Sequence, residues 1–160
     1  MIELYEGVPG SGKSYHAICE KFLPWVRQGR RLYISVDGIY LDRLALFTGI
    51  ELETLEQQIT IWKDSVEVLQ AFPHVEPGSA VIIDEAQTVF RSMQKVEPGL
   101  LRWLETHRHY GVDILLMSQD FRQMSQGVTR LIEATVKFRK LAFVGLSKKY
   151  QGKVRGNPED

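Results

Sequence analysis

Cysteine is nearly absent from the sequence, since Cys19 is the single cysteine among 160 residues. One cysteine cannot close a disulfide within the chain, and none of the four histidines stands in zinc-ligand spacing with it. These absences exclude a disulfide-stapled scaffold and a zinc-finger site. They also lead us to expect a reducing, cytoplasmic compartment.

An excess of charge and a long apolar run are also missing. Lysine and arginine together number 20, as do aspartate and glutamate, so the formal net charge is zero. This balance argues against a general binder of polyanions. No run of apolar residues is longer than four, whereas a membrane-spanning helix needs about 20. No signal peptide fits the N-terminus. We expect one compact domain with a real hydrophobic core.

Short strand-like runs alternate with longer helical runs. This alternation predicts an α/β fold with a mainly parallel central sheet and helices on both faces. The predicted strands cover residues 2–5, 31–36, 80–83, 112–118, 136–138 and 141–144, and the last two are candidates for a hairpin. The predicted helices cover about residues 13–26, 40–47, 65–72, 98–110 and 128–134.

A glycine-rich motif directly follows the first predicted strand. Residues 7–14, GVPGSGKS, match G-x-x-x-x-G-K-[ST] at every fixed position. Glycines let main-chain N–H groups approach a phosphate, and the helix that follows points its positive end at it. The motif predicts a P-loop in which Lys13 contacts the β- and γ-phosphates and Ser14 ligates Mg²⁺. A chance glycine-rich turn is the alternative. The predicted nucleotide contacts are Gly7, Val8, Pro9, Gly10, Ser11, Gly12, Lys13, Ser14 and Tyr15.

Two adjacent carboxylates end another apolar strand, VIIDE at residues 81–85. In a P-loop fold, Asp84 would hold Mg²⁺ directly or through water, and Glu85 would polarise the attacking water as general base. The alternative is a buried strand that meets a helix cap, because acidic residues favour helix starts. A strand and an insertion separate the two motifs. This spacing favours the additional-strand, catalytic-glutamate class of P-loop NTPases over small-molecule kinases.

Polar and basic side chains flank the predicted strand 112–118. Gln119 follows it and is a candidate sensor of the γ-phosphate or the lytic water, with a solvated loop residue as the alternative. Arg108 precedes it. That arginine either offsets the dipole of the helix it closes or acts as a finger on a neighbouring subunit's γ-phosphate. Arg122 and Arg130 are rivals for the second role.

Basic residues dominate the C-terminal part of the chain. Three interpretations stay open: a solvated hairpin and tail, attraction to anionic lipid before a membrane span, and contact with DNA. Between positions 137 and 155 there is no acidic residue, and the seven basic ones are Lys137, Arg139, Lys140, Lys148, Lys149, Lys153 and Arg155.

Three blocks of sequence carry a family resemblance: GVPGSGKS at 7–14, VIIDEAQ at 81–87 and HRHYGVDILLMSQD at 107–120. Over roughly residues 1–145 the chain resembles the N-terminal cytoplasmic domain of the zonular occludens toxin family, which includes the gene I assembly proteins of filamentous phages. The third block is the most specific. Ser118 stands where many relatives have threonine, a mild change that leaves Gln119 in place.

The resemblance implies an ATPase, with ATP and Mg²⁺ as cofactors, at the cytoplasmic face of the bacterial inner membrane. Such proteins drive the assembly and extrusion of single-stranded DNA phage. The implied partners are further copies of the chain, phage assembly and coat proteins, single-stranded DNA and the membrane. We expect ATP rather than GTP as the nucleotide because of the family resemblance and because the sequence has no guanine-reading N-K-x-D motif.

The resemblance also implies a division of the chain. Residues 1–145 would form the P-loop ATPase domain, and residues 146–160 a basic tail before a membrane span that the chain does not contain. Two rival functions remain. One is a DNA-translocating or packaging ATPase, and the other is an assembly scaffold that binds nucleotide without turnover.

Overall fold

A seven-stranded sheet organises the computed structural model, which describes residues 1–140 and 150–156. The strand order is β3–β2–β4–β5–β1–β6–β7, in which the first six strands run parallel and β7 pairs antiparallel with β6. The predicted α/β fold with a mainly parallel sheet is confirmed. The strands are β1 Ile2–Glu6, β2 Leu32–Ser35, β3 Ile59–Ile61, β4 Ala80–Ile83, β5 Asp113–Ser118, β6 Ala134–Lys140 and β7 Tyr150–Arg155.

Strand β5 lies between the two strands that carry the motifs. It pairs with β1 from Ile2↔Ile114 to Glu6↔Ser118 and with β4 from Ala80↔Asp113 to Ile83↔Leu116. Because all three strands are parallel, their carboxyl ends meet at one edge of the sheet. In the sheet, the end of β5 therefore lies between the ends of the two strands that carry the motifs.

Helices cover both faces of the sheet. Between α1 and α2 lies a π-helical turn, Ile18–Phe22, and Pro24 follows in the first turn of α2. The wider turn accommodates Pro24, whose ring would clash with the carbonyl four residues earlier in a regular helix. The helices are α1 Lys13–Ala17, α2 Leu23–Arg27, α3 Leu41–Thr48, α4 Leu52–Gln58, α5 Ser65–Ala71, α6 Ala86–Val89, α7 Pro98–Thr106 and α8 Gln126–Thr129.

The core has two layers because strand side chains alternate between the faces of the sheet. On one face Leu4 and Leu116 pack with Leu100 and Leu104 of α7. On the other face the core contains Tyr5, Leu115 and Met117 from strands and Ala17, Phe22 and Val26 from the helices after the P-loop. The second layer fixes the position of the helix that starts at the glycine-rich motif.

The elements predicted from the sequence differ from the structure in one wrong helix and in two elements that were not predicted. The helix predicted at 128–134 is wrong, because α8 ends at Thr129 and residues from Ala134 belong to β6. Pairing with β1 satisfies the main chain there and overrides the local helical pattern. Helix α4 and strand β3 were not predicted from the sequence, and the three residues of β3 are too few to show a period.

The last predicted strand, 141–144, lies outside the described residues. The hairpin partner of β6 in the structure is β7. The division of the chain at residue 145 stays a prediction, although β7 shows that part of the predicted tail joins the sheet. Within residues 1–140 and 150–156, no helix is both long and apolar enough to cross a membrane.

Candidate functional site at the carboxyl edge of the sheet

The loop that joins β1 to α1 is held between the ends of two neighbouring strands. The N–H of Gly7 donates to the carbonyl of Ser118 in β5 at 3.1 Å. On the other side, a Cβ at Gly7 would lie 2.7 Å from the main-chain oxygen of Phe138 in β6. Gly12 has a φ of +94°, which a side chain would strain. Glycine at these two positions therefore lets the chain turn tightly into α1.

Lys13 is almost completely buried, at 6% exposure, with its ammonium group inside the loop. Its Nζ donates to the carbonyl of Gly7 at 2.5 Å and approaches that of Val8 at 3.4 Å. Burial lowers the pKa of Lys13, and the negative charges of Asp84 and Glu85 oppose that shift. The hydrogen-bond partners of this ammonium group among the described residues are main-chain carbonyls, so its charge is available to bind an anion such as a phosphate.

Ser14 and Asp84 join the two sequence motifs directly. Ser14 Oγ donates to Asp84 Oδ2 at 3.2 Å, and the main-chain N–H of Glu85 donates to Asp84 Oδ1 at 2.8 Å. Burial raises the pKa of Asp84, and the charge of Glu85 adds to the rise. The two hydrogen bonds and the charge of Lys13 act in the opposite direction.

The oxygens of Ser14 and Asp84 fit a magnesium ion. Both are hard donors, and Mg²⁺ in NTPase sites takes only one or two protein oxygens, with the rest from phosphate and water. Within the part of the chain that the structure describes, no group of three His, Cys, Asp or Glu side chains could hold a metal. The donor set therefore suits a metal that arrives with a phosphate ligand rather than an all-protein metal cage.

Glu85 adopts an unusual backbone conformation. Its φ of 48° makes it the one non-glycine residue with positive φ within residues 1–140 and 150–156. A non-glycine residue held in this region costs on the order of 1 kcal/mol and is often found at functional sites. The turn ends β4 abruptly and leaves the side chain of Glu85 exposed at the carboxyl edge of the sheet.

Two glutamine amides contact the carboxylate of Glu85. Gln119 Nε2 lies 3.4 Å from Glu85 Oε2, which places the predicted sensor beside the predicted base. Gln87 Nε2 hydrogen-bonds the same carboxylate oxygen. Gln87 was not predicted from the sequence as a site residue. Its position two residues after Glu85 could have suggested it, but the turn at Glu85 is not evident from sequence.

The remaining predicted contact residues lie along the loop and the first turn of α1. The Ser11 hydroxyl is fully buried, with no hydrogen-bond partner among the described residues. Val8 is exposed, and Pro9 and Gly10 continue the loop toward Ser11. Tyr15 is exposed and lies on the wall of an apolar groove of ≈ 480 Å³, a volume within the range of small-ligand sites.

Arg108 lies away from this cluster. It precedes β5 and forms a salt bridge of 2.5 Å with Glu133, whose main-chain N–H donates to the carbonyl of Ile2. These residues mark the amino edge of the parallel strands, whereas the P-loop lies at the carboxyl edge. Arg122 lies at the carboxyl edge and pairs with Asp120 at 2.6 Å.

An ion pair beside the P-loop was also not predicted from the sequence. Glu6, the residue before the loop, lies with its Oε2 3.6 Å from Lys137 Nζ of β6. Burial raises the pKa of Glu6, and the charge of Lys137 opposes the rise. The pair depends on the register between β1 and β6, and sequence spacing alone does not reveal that register.

Comparison with known proteins places the chain in a family. The family model described as Zonular occludens toxin (Zot) matches residues 1–158, almost the whole chain. The chain belongs to the Zot family.

Two curated relatives of this Zot-family chain are phage proteins. It is 27% identical over 164 residues to the "Gene 1 protein" of Xanthomonas phage phiLf, and the match covers 94% of this chain and 37% of that protein. It is 32% identical over 126 residues to the "Putative assembly protein ORF301" of Pseudomonas phage Pf3, with 74% and 36% covered. The chain thus spans little more than a third of the length of either relative.

The fold of the Zot-family chain matches that of a solved NTPase. The genome packaging NTPase B204 of Sulfolobus turreted icosahedral virus 2, in complex with ATP-gammaS, aligns with a TM-score of 0.63 at 20% identity. The alignment covers 92% of this chain and 81% of B204. This likeness shows a P-loop NTPase fold.

Proposed function

We propose that this Zot-family domain binds ATP with Mg²⁺ and hydrolyses it to ADP and phosphate. The observation that carries the proposal is the 3.2 Å contact between Ser14 and Asp84. It brings the last residue of the glycine-rich motif to the first carboxylate of the acidic motif. Phosphate, metal and lytic-water functions can therefore meet at one edge of the sheet.

Residues 7–14 supply the phosphate-binding part of the site. Main-chain N–H groups of the loop and the start of the helix at Lys13 face the β-phosphate. Lys13 exchanges its contacts with the carbonyls of Gly7 and Val8 for phosphate oxygens, and Tyr15 lies beside the bound nucleotide. Charge-assisted hydrogen bonds from an almost fully buried ammonium stabilise the phosphate strongly.

Asp84 and Glu85 have different roles in the proposed hydrolysis. Ser14 and Asp84 hold Mg²⁺, which neutralises charge on the phosphates. Glu85 accepts a proton from a water molecule as the water oxygen attacks the γ-phosphorus. The bond between the γ-phosphorus and the β–γ bridging oxygen breaks, and its electron pair leaves with ADP. Gln119, which lies 3.4 Å from Glu85, orients that water or the γ-phosphate.

Arg108 can serve this site only from a second copy of the chain. In its own chain it lies at the opposite edge of the sheet and pairs with Glu133. A homo-oligomer would let it reach a neighbour's γ-phosphate after that salt bridge breaks. The exposure of the Arg108 side chain, 68%, is compatible with such a contact.

The biological role that we propose is filamentous phage assembly and extrusion at the cytoplasmic face of the inner membrane. The names of the relatives, a gene 1 protein and a putative assembly protein, support it. In that role the domain would work with further copies of itself, with phage assembly and coat proteins, and with single-stranded DNA. Membrane attachment would come from a segment beyond residues 1–160.

The test compares ATP affinity and steady-state hydrolysis for the wild type and Glu85→Gln. We expect the same affinity for both and a turnover lower by about 10²-fold or more for the variant, which is typical for loss of a general base. Glu53→Gln, which removes an exposed carboxylate of α4, is the matched control. A Glu85→Gln protein as active as the Glu53→Gln protein would contradict the role of Glu85.

Two further outcomes separate the rival functions. Binding of ATP without turnover, in a sample shown to be oligomeric, supports a nucleotide-binding assembly scaffold. Stimulation of hydrolysis by single-stranded DNA supports a translocating ATPase. The exposed Lys153 of β7 is the first candidate for that DNA contact.

A further inference from the structure

Strand β6 forms a side wall of the P-loop. It pairs with β1 from Glu3↔Ala134 to Glu6↔Lys137 and then continues for three residues past the end of β1. The first of these three, Phe138, lies so close to Gly7 that a Cβ there would be 2.7 Å from the Phe138 carbonyl oxygen and 3.0 Å from its Cβ. The end of β6 therefore follows the loop rather than diverging from it.

Lys140, the last residue of β6, lies over the loop at Gly10. A Cβ at Gly10 would lie 3.2 Å from both Cε and Nζ of Lys140. Strand side chains alternate between faces, so Lys140 shares its face with Phe138, which belongs to the core layer beneath the helix after the P-loop. Arg139 lies on the opposite face of the strand.

The charge of Lys140 is not neutralised within the described part of the chain. Lys137, three residues earlier, has Glu6 as its partner at 3.6 Å. No carboxylate among residues 1–140 and 150–156 pairs with Lys140. An exposed ammonium group thus lies directly against the backbone of a loop whose own lysine, Lys13, already faces inward. The local field at this end of the loop favours an anion.

We propose that Lys140 is a second phosphate-contacting lysine of this site. Its ammonium donates to a phosphate oxygen of the nucleotide held by residues 7–14. It approaches from the β6 side of the loop, whereas Asp84 approaches from the β4 side, and these two strands lie on opposite sides of β1 in the sheet. The inference rests on the proposed function, namely that this loop binds ATP.

Such a contact ties the end of β6 to the presence of nucleotide. In the nucleotide complex, a charge-assisted hydrogen bond holds Lys140 and the end of its strand against the loop. Because β7 pairs with β6 as far as Lys140↔Tyr150, the same contact secures that end of the β6–β7 hairpin. Nucleotide binding should therefore slow hydrogen exchange in the main chain of residues 138–140.

The test measures the affinities for Mg·ATP and adenosine by calorimetry for the wild type, Lys140→Gln, Lys140→Arg and Arg139→Gln. The Arg139 variant is the matched control, since it removes the same charge one residue away on the other face. We expect Lys140→Gln to weaken ATP binding roughly tenfold or more, as for loss of a charged hydrogen bond. We expect the affinity of the arginine variant to stay close to that of the wild type. Adenosine, which has no phosphate, should not distinguish the variants.

Two negative results have different meanings. If the wild type binds ATP but Lys140→Gln and Arg139→Gln have equal affinities, the phosphate contact of Lys140 is overturned and the proposed function stands. If the wild type does not bind ATP, the proposed function fails and this inference fails with it. Hydrogen exchange at residues 138–140 gives an independent check, because ATP should slow it in the wild type and not in Lys140→Gln.

Discussion

Ser14 Oγ lies 3.2 Å from Asp84 Oδ2, although the two residues are 70 positions apart in the chain. The contact exists because β1 and β4 both flank β5 and end at the same edge of the sheet. It places a hydroxyl and a carboxylate side by side in a partly buried position, where the carboxylate is costly to ionise.

Asp84→Asn is predicted to stabilise the nucleotide-free domain at neutral pH. Burial raises the pKa of Asp84 above its ordinary value of 3.8, so its stabilising contribution is lost as pH rises through the raised pKa. Asparagine keeps one acceptor oxygen and removes the charge. The gain in melting temperature should therefore be largest at neutral pH and should vanish below about pH 3.8, where the carboxyl is protonated in both states.

Asp113→Asn is the matched control with the opposite sign. Burial of Asp113 acts to raise its pKa, but hydrogen bonds and charges from the N-terminal ammonium and Arg30 outweigh burial and lower it. Its contribution is present above pH 3.8 and is lost as pH falls through the lowered pKa, so this variant should melt lower at neutral pH. If Asp84→Asn also melted below the wild type at neutral pH, the cost assigned to the Asp84 carboxylate would be wrong.

Arg30 is predicted to stabilise the amino edge of the sheet through its hydrogen bonds. Its guanidinium donates to the carbonyls of Gly78 and Ser79 at 2.8 and 2.9 Å and to Asp113 at 2.8 Å. Arg30→Ala should lower the free energy of unfolding by about 1–3 kcal/mol, since two partly buried acceptors, the Ser79 carbonyl and the Asp113 carboxylate, lose their donor. Denaturant titration measures the change. Arg27→Ala, at an exposed position of α2, should change it by less than about 0.5 kcal/mol.

Gly7→Ala should damage both the fold and the site. The new Cβ would lie 2.7 Å from the Phe138 carbonyl oxygen and 2.7 Å from Ser11 Oγ, so the loop or β6 must move. Overpacking of this kind costs typically about 1–3 kcal/mol. At Gly127 in α8, a Cβ meets Leu101 at an ordinary 3.5 Å, so Gly127→Ala should be neutral or stabilising. Equal melting temperatures for the two variants would show that the contact at Gly7 is not tight.

A mixing experiment tests whether Arg108 acts between subunits. Arg108→Ala and Glu85→Gln should each be nearly inactive alone, the first for lack of the finger and the second for lack of the base. Mixed oligomers should regain hydrolysis, because an Arg108→Ala subunit offers an intact site and a Glu85→Gln subunit offers an intact arginine. Full activity of the Arg108→Ala protein by itself would contradict a role of Arg108 in hydrolysis. The salt bridge to Glu133 would then be its only role.

The sequence predicted the parts of the site that depend on local chemistry. Residues 7–14 and the Asp84–Glu85 pair follow from motif spacing, and the parallel sheet follows from the alternation of elements. Lys140 and Gln87 did not emerge as site residues, because their positions depend on strand register and on the positive φ of Glu85.

Predictions near the C-terminus were less successful for a related reason. Residues 130–133 lie between α8 and β6 in the structure, and their apolar pattern resembles a continuing helix. Only the pairing of β6 with β1, more than 100 residues earlier in the chain, decides where the strand begins. Local periodicity contains no information about such a long-range contact.

Calorimetric titration of Mg·ATP into the wild type and Lys13→Met tests the central claim most directly. Lys13 is almost completely buried in the loop, and its pKa is lowered by that burial. Lys21→Met, on the same continuous helix and paired with Glu3, is the matched control. We predict binding by the wild type and by Lys21→Met, and at least roughly tenfold weaker binding by Lys13→Met. No binding by the wild type, or equal binding by all three proteins, would contradict nucleotide binding through residues 7–14.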